Sequence, residues 1–238
     1  MKRRLLRFSA QCLSKLIILF LSILMLAGCW DYQGLGDQTV VVGVAVDLGE
    51  AGSGYRLTFE IVDLNEGEGG QFGSVLLTTR GETLAEAVYD AYARLHSHVY
   101  LGVVEVVLIS QAVAEQRGIE PIVNYLIREK NARNSLRVVV AGSETAAALF
   151  APAEGDTGAE EAEGPGQTEG QRQPLSRALG EALSPRRRGA SSVTDARALY
   201  EVYQMLAKDT SDLALPIVGQ SAVEDIPFQL DGIGRAHV

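Results

Sequence analysis

The apolar and polar positions of this chain fall into blocks of different period. Residues 16–27 are apolar except for Ser22. Residues 39–47, Thr-Val-Val-Val-Gly-Val-Ala-Val-Asp, are rich in β-branched side chains and predict a strand. Residues 55–62 alternate apolar and polar side chains in the period a half-buried strand requires, and the turn residues between Gly49 and Gly54 join the two strands into an antiparallel hairpin. A Gly/Glu loop over 65–73 leads into a third strand at 74–80, ended by Gly81. Thr83 and Glu86 have the spacing of a capping box, and Leu84, Ala87, Val88, Ala91 and Leu95 then share one helical face that is expected to pack on the sheet.

Residues 103–109 form a nearly continuous apolar run whose shortness and β-branching favour a central strand over a buried helix. A short helix over 112–117 stops at Gly118, and Pro121 sits in the first turn of the next, whose stripe is Ile122, Val123, Leu126 and Ile127. Residues 136–141 return as a strand, and Ser143 is expected to cap a helix ending near Phe150. The periodicity then stops. Residues 151–173 hold Glu154, Asp156, Glu160, Glu161, Glu163 and Glu169 among glycines, alanines and two prolines, with no large apolar side chain. Such a stretch buries too little surface to offset its ordering entropy and is expected to be a flexible acidic insertion.

Beyond it, Leu175, Leu179 and Leu183 mark a short helix, Pro185-Arg186-Arg187-Arg188-Gly189 a loop, and Ser192 a cap for a helix over 193–208. Residues 213–218 and 226–233 read as extended. These elements predict an α+β fold with a mixed, largely antiparallel β-sheet packed with helices. The expected division is 1–28 as a lipoprotein signal peptide, 29–150 as an N-terminal α+β domain and 151–173 as the insertion. Residues 174–238 would continue the domain and begin a further, truncated C-terminal region.

The first apolar block is the one that places the protein in the cell. Lys2, Arg3, Arg4 and Arg7 precede it and Leu26-Ala27-Gly28-Cys29 closes it, which is the layout of a secretory signal with small residues before the cut. A cysteine at the cut resembles a bacterial lipobox. Leu26, Ala27 and Gly28 are then the signal-peptidase recognition residues, and Cys29 is the lipidation site, an anchor and not a nucleophile. Two acyl chains hold firmly, since each buried CH₂ contributes roughly 0.8 kcal/mol. A membrane-spanning reading fails on length: twelve residues at ~1.5 Å each reach ~18 Å across a ~30 Å hydrocarbon core.

Charge and cysteine usage narrow the partners. Of the 21 Lys and Arg residues, five precede Cys29, whereas all 30 Asp and Glu follow it, leaving the mature part at −14. No nucleic-acid partner is expected of so acidic a chain. The two cysteines are Cys12, inside the signal, and Cys29, so processing leaves no disulfide and no thiolate metal site.

A search for chemistry yields little. His96 and His98 would share one face of a strand, as a metal pair requires, but no third ligand is set by spacing. Gly34-Leu35-Gly36 precedes a strand where a phosphate loop follows one. No Gly-x-Ser-x-Gly elbow or His-Glu-x-x-His helix occurs, so no catalytic residue, metal or cofactor is assigned.

With these residues laid out, the chain resembles the C subunits of spore germinant receptors, the Ger(x)C lipoprotein family. The likeness is carried by Cys29-Trp30-Asp31 at the lipobox, by the strand from Val41 to Asp47, and by Tyr100-Leu101-Gly102 leading into an apolar strand. Gly118-Ile119 then opens a helix passing Arg128-Glu129 toward Arg133, and Leu215-Pro216 and Leu230-Asp231-Gly232-Ile233 follow in order. The chain departs from the family in having Val103 where a histidine is usual, in its acidic insertion, and in stopping at Val238, where the family continues. The resemblance implies a receptor complex with two integral membrane subunits, of A and B type, in the inner membrane of the spore. This subunit would sit on the non-cytoplasmic face, held to membrane lipid by acylated Cys29, without enzymatic activity. Trp30 and Asp31 would be its membrane-proximal partner contact. A lipid-anchored solute-binding protein of a transporter shares the lipobox and is the alternative, although such proteins usually need two lobes and more chain.

Overall fold

The computed structural model describes residues 13–22, 38–63, 73–150, 174–183, 196–208, 213–223 and 226–236. They fall into two units, residues 1–37 and 38–238. The first contains helix α1, residues 13–22, whose side chains are exposed along its whole length.

The second unit is built on one sheet. Its elements are β1 (Gln38–Leu48), β2 (Tyr55–Asp63), β3 (Gly73–Gly81), α2 (Leu84–Leu95), β4 (His98–Tyr100) and β5 (Val106–Ser110). Next come α3 (Gln111–Gln116), α4 (Glu120–Arg128), β6 (Arg137–Ala141), α5 (Leu175–Ala182), α6 (Leu199–Leu206), β7 (Leu213–Val223) and β8 (Ile226–Ala236). The strand order is β3-β2-β1-β5-β6-β7-β8, with β4 also pairing to β1. The expected mixed α+β sheet is present. Its antiparallel ladders are the flanks, β3-β2-β1 on one side and β7-β8 on the other, and they carry most of the paired residues. The centre, β1-β5-β6-β7, runs parallel.

Parallel neighbours need a crossover, and the helices supply them. One face of the sheet carries Val44, Val46, Leu57, Phe59, Val107 and Val138, covered by α2, α4 and α6 through residues such as Val88, Ile122, Leu126 and Val202. The other carries Ala45, Val106, Leu108 and Val139, covered by Leu149, Phe150, Leu179 and Leu183. Burial on both faces explains why β5, buried at every position, reads as a continuous apolar run.

Several local expectations change in detail. The run 103–109 becomes a strand only from Val106, because a turn at Gly102 and Val103 separates it from β4. Thr83 does cap α2, accepting from Glu86 N at 3.2 Å, while the Glu86 carboxylate reaches Glu82 N, one residue before the cap, at 2.9 Å. Gly118 separates α3 from α4 with a positive φ of 71°, a conformation that other residues resist. Ser143 caps no helix: its hydroxyl donates to the Thr145 carbonyl at 2.6 Å, and the segment is a 3₁₀ turn, Ala147–Phe150. The helix expected over 193–208 begins at Leu199, because Ala198 is extended and bridges to Arg137. Ser192 lies outside the described residues, as do the acidic stretch 151–173 and the loop with Arg186, Arg187 and Arg188.

Candidate functional site

The residues singled out from the sequence, Leu26, Ala27, Gly28, Cys29, Trp30 and Asp31, also lie outside the described residues. What is described beside them is α1, with Leu16, Ile17, Ile18, Leu19, Phe20 and Leu21 exposed. No described helix is long and apolar enough to cross a membrane.

His96 and His98 do not share a strand face. His96 ends α2 in the left-handed conformation with φ 51°, and His98 stands edge-on to the Tyr92 ring at 5.9 Å between centroids. Among the described residues no group of three metal-ligating side chains occurs. An apolar cavity of about 20 Å³ lies between the sheet and α2 and α4, lined by residues including Val44, Phe59, Val107 and Leu126. It is water-sized and lacks the polar partners a buried water needs.

On the opposite face of the sheet lie two buried carboxylates whose roles nothing in the sequence marked. Asp47, at the end of β1, is 2% exposed, and Glu60, on β2, is 1% exposed. Buried carboxylates this far from water must find donors. Asp47 accepts from Ala146 N at 2.7 Å through one oxygen and from Ala147 N at 3.1 Å through the other, which makes it the cap of the 3₁₀ turn. Glu60 accepts from Leu175 N at 2.7 Å, Ser176 N at 2.9 Å and the Ser74 hydroxyl at 3.2 Å, so it caps α5. The backbone amides and the positive end of the helix supply the partners that water would otherwise provide.

The two carboxylates therefore pin both described ends of the stretch that encloses residues 151–173. Chain that is nearly 100 residues distant in sequence is brought to β1 by Asp47, and Glu60 reaches further. Close approach completes the attachment: a Cβ on Gly43 would stand 2.5 Å from Ser176 Cβ and 2.9 Å from Phe150 Cζ, so only glycine admits both groups against β1. Asp47 was legible as the end of the Val41–Asp47 strand, but its role was not. Glu60 occupies an ordinary polar phase of an alternating strand, shared with Arg56, and carries no distinguishing signal.

On the helical face, Tyr125 and Tyr92 lie near Glu129. Burial first, then the Glu129 charge, the neighbouring Tyr92 and a hydrogen bond with Glu129 hold the Tyr125 phenol well above its ordinary value. Burial and Glu129 raise Tyr92 as well.

The described residues thus form a two-faced mixed sheet closed on one side by a carboxylate-pinned layer. Residues 31–159 match the spore germination protein N-terminal domain, and the chain belongs to that family. The match spans β1 to just beyond the 3₁₀ turn, so it includes Asp47 with its partners and Glu60, but not α5. Similar curated proteins are spore germination proteins of Bacillus subtilis (strain 168). Protein B3 is 27% identical over 137 residues, covering 56% of this chain and 36% of that protein. Protein KC is 25% identical over 133 residues, covering 52% and 32%, and protein A3 is 25% identical over 137 residues, covering 55% and 36%. The matched region thus spans about a third of each relative's length. No solved structure matches the chain.

Proposed function

We propose that this chain is the membrane-anchored lipoprotein subunit of a spore nutrient-germinant receptor. It assembles with two integral membrane subunits on the outer face of the spore's inner membrane and acts by contact, without catalysis. The observation that carries this reading is the family match, which starts at Asp31, two residues after the lipobox cysteine. Acylated Cys29, bearing diacylglycerol and palmitate, holds the domain at the bilayer, and Trp30 and Asp31, next to that anchor, meet the membrane partners. No metal or cofactor takes part.

The test is a pull-down of the mature protein from spore inner membrane, comparing the wild type with Cys29→Ala. Recovery of both integral receptor subunits, reduced in the unlipidated variant, supports the assignment. Recovery of transporter permease components instead overturns it in favour of a solute-binding lipoprotein.

A further inference from the structure

The loop between α4 and β6 lies at the end of the sheet where the chain enters it. Gly43, Val106 and Arg137 stand level across the parallel strands β1, β5 and β6. The start of β1 at Gln38 and the residues that lead into Arg137 therefore share the N-terminal end of those strands. Neighbouring strands are ~4.8 Å apart, which puts β6 about 10 Å from β1. Two tight turns hold the loop: Ala132 N donates to the Glu129 carbonyl at 3.0 Å and Leu136 N to the Arg133 carbonyl at 3.2 Å.

The charge of this loop is unlike that of the chain as a whole. Arg128, Lys130 and Arg133 are exposed, and among the described residues none of them is paired with a carboxylate. The acids around them are turned elsewhere. Glu129 hydrogen-bonds the Tyr125 phenol. Glu201, in the first turn of α6, accepts from Ala198 N at 2.8 Å and from the Tyr200 hydroxyl at 3.2 Å. Glu105 is turned onto α5, where a Cβ on Gly180 would stand 2.5 Å from its Oε2. Three uncompensated cations thus gather within residues 128–133 of a mature chain whose net charge is −14.

We infer that the loop from Arg128 to Arg133 is a membrane-contact surface that meets the anionic phosphate headgroups of the bilayer, which rests on the Cys29 anchor proposed above. Cys29 precedes Gln38 by nine residues, a tether of at most ~30 Å. An acylated Cys29 therefore keeps the loop's own end of the strands close to the lipid. So short a tether makes the contact intramolecular, and a weak attraction then suffices to hold it. Each cation at an anionic surface is worth about five-fold in partitioning, and the three together about a hundred-fold. The acidic remainder of the chain is repelled by the same surface, so the contact decides which end of the domain faces the bilayer.

The test uses the mature, acylated chain in vesicles of phosphatidylglycerol that carry a headgroup quencher, with a fluorophore on Asn131→Cys, an exposed position within the loop. Acylation blocks the Cys29 thiol, so the label goes to residue 131 alone. The expected result is strong quenching at 0.15 M salt that is lost at 1 M, where the Debye length falls from about 8 Å to about 3 Å. Neutralising Arg128→Gln, Lys130→Gln and Arg133→Gln together should lower the ratio of surface-bound to free loop about a hundred-fold. A label on Gln111→Cys, exposed at the opposite end of the strands, should stay unquenched. Equal quenching in the triple variant, at Gln111 or in phosphatidylcholine vesicles overturns the inference. Shielding of residue 131 in detergent without lipid, abolished by neutralising the acids of residues 151–173, gives the loop to that stretch and overturns the lipid partner. Mass spectrometry of the same sample reads Cys29: an unmodified thiol overturns the anchor, whereas acylated protein unquenched at 131 overturns the role of the loop alone.

Discussion

Removing the Glu60 carboxylate should detach α5 from the sheet. The side chain is 1% exposed and accepts two amide protons, from Leu175 and Ser176, and one hydroxyl proton from Ser74. A hydrogen bond to a charged group contributes about 1.5–3 kcal/mol, and a buried amide left without an acceptor costs about 1–3 kcal/mol. Glu60→Ala orphans both amides, so the expected loss is about 3–5 kcal/mol. The helix has an alternative, which is to leave. It then exposes Leu179 and Leu183, now 1% and 6% exposed, and forfeits about 1.5–3 kcal/mol for each, a sum of similar size. Either route removes a large part of the roughly 5–15 kcal/mol by which a domain is stable. Glu60→Gln keeps one carbonyl acceptor and should lose about half as much. Urea unfolding measures the loss, and amide exchange at Leu175 and Ser176 reports whether α5 opens before the rest. The reasoning is refuted if Glu60→Ala unfolds within about 0.5 kcal/mol of wild type and those two amides keep their protection.

Gly43→Ala should cost about 1–3 kcal/mol by overpacking against Ser176 and Phe150, whereas Gly232→Ala, whose Cβ meets nothing within 4 Å, should be nearly neutral; equal melting temperatures would contradict the close approach. Asp47→Ala should lower stability by about 2–4 kcal/mol through the orphaned Ala146 and Ala147 amides, read by the same urea titration, and no change in the protection of these amides would dismiss the cap. The Tyr125 phenol is held above its ordinary value in the folded state, so the unfolded chain releases that proton first. Stability from this group is complete below about pH 10 and is lost as the pH rises toward the folded value. Tyr125→Phe should therefore show a shallower alkaline decline above about pH 10, and an identical decline in both proteins would exclude Tyr125 as its source.

Much of the secondary structure was readable because each element satisfies a local rule. β-branching marks β1, alternation marks β2, Thr83 and the Leu84–Leu95 face mark α2, and Pro121 marks the start of α4. The order of the family's short patterns was equally local, and the family match over residues 31–159 agrees with it. The elements read wrongly were those whose ends are fixed from far away. Ser143 looks like a cap, but the amides of Ala146 and Ala147 are taken by Asp47 across 99 and 100 residues. The helix over 193–208 is shortened because Arg137 holds the Ala198 segment extended.

What the sequence by itself determined is therefore the period of most segments and the mixed α+β class, since these depend on neighbours within a few residues. Only the tertiary structure decided the parallel centre of the sheet and the roles of Asp47 and Glu60. An acidic residue on a strand is the same letter whether it faces water or the amides of a helix 115 residues away, and only the packed sheet decides which it meets.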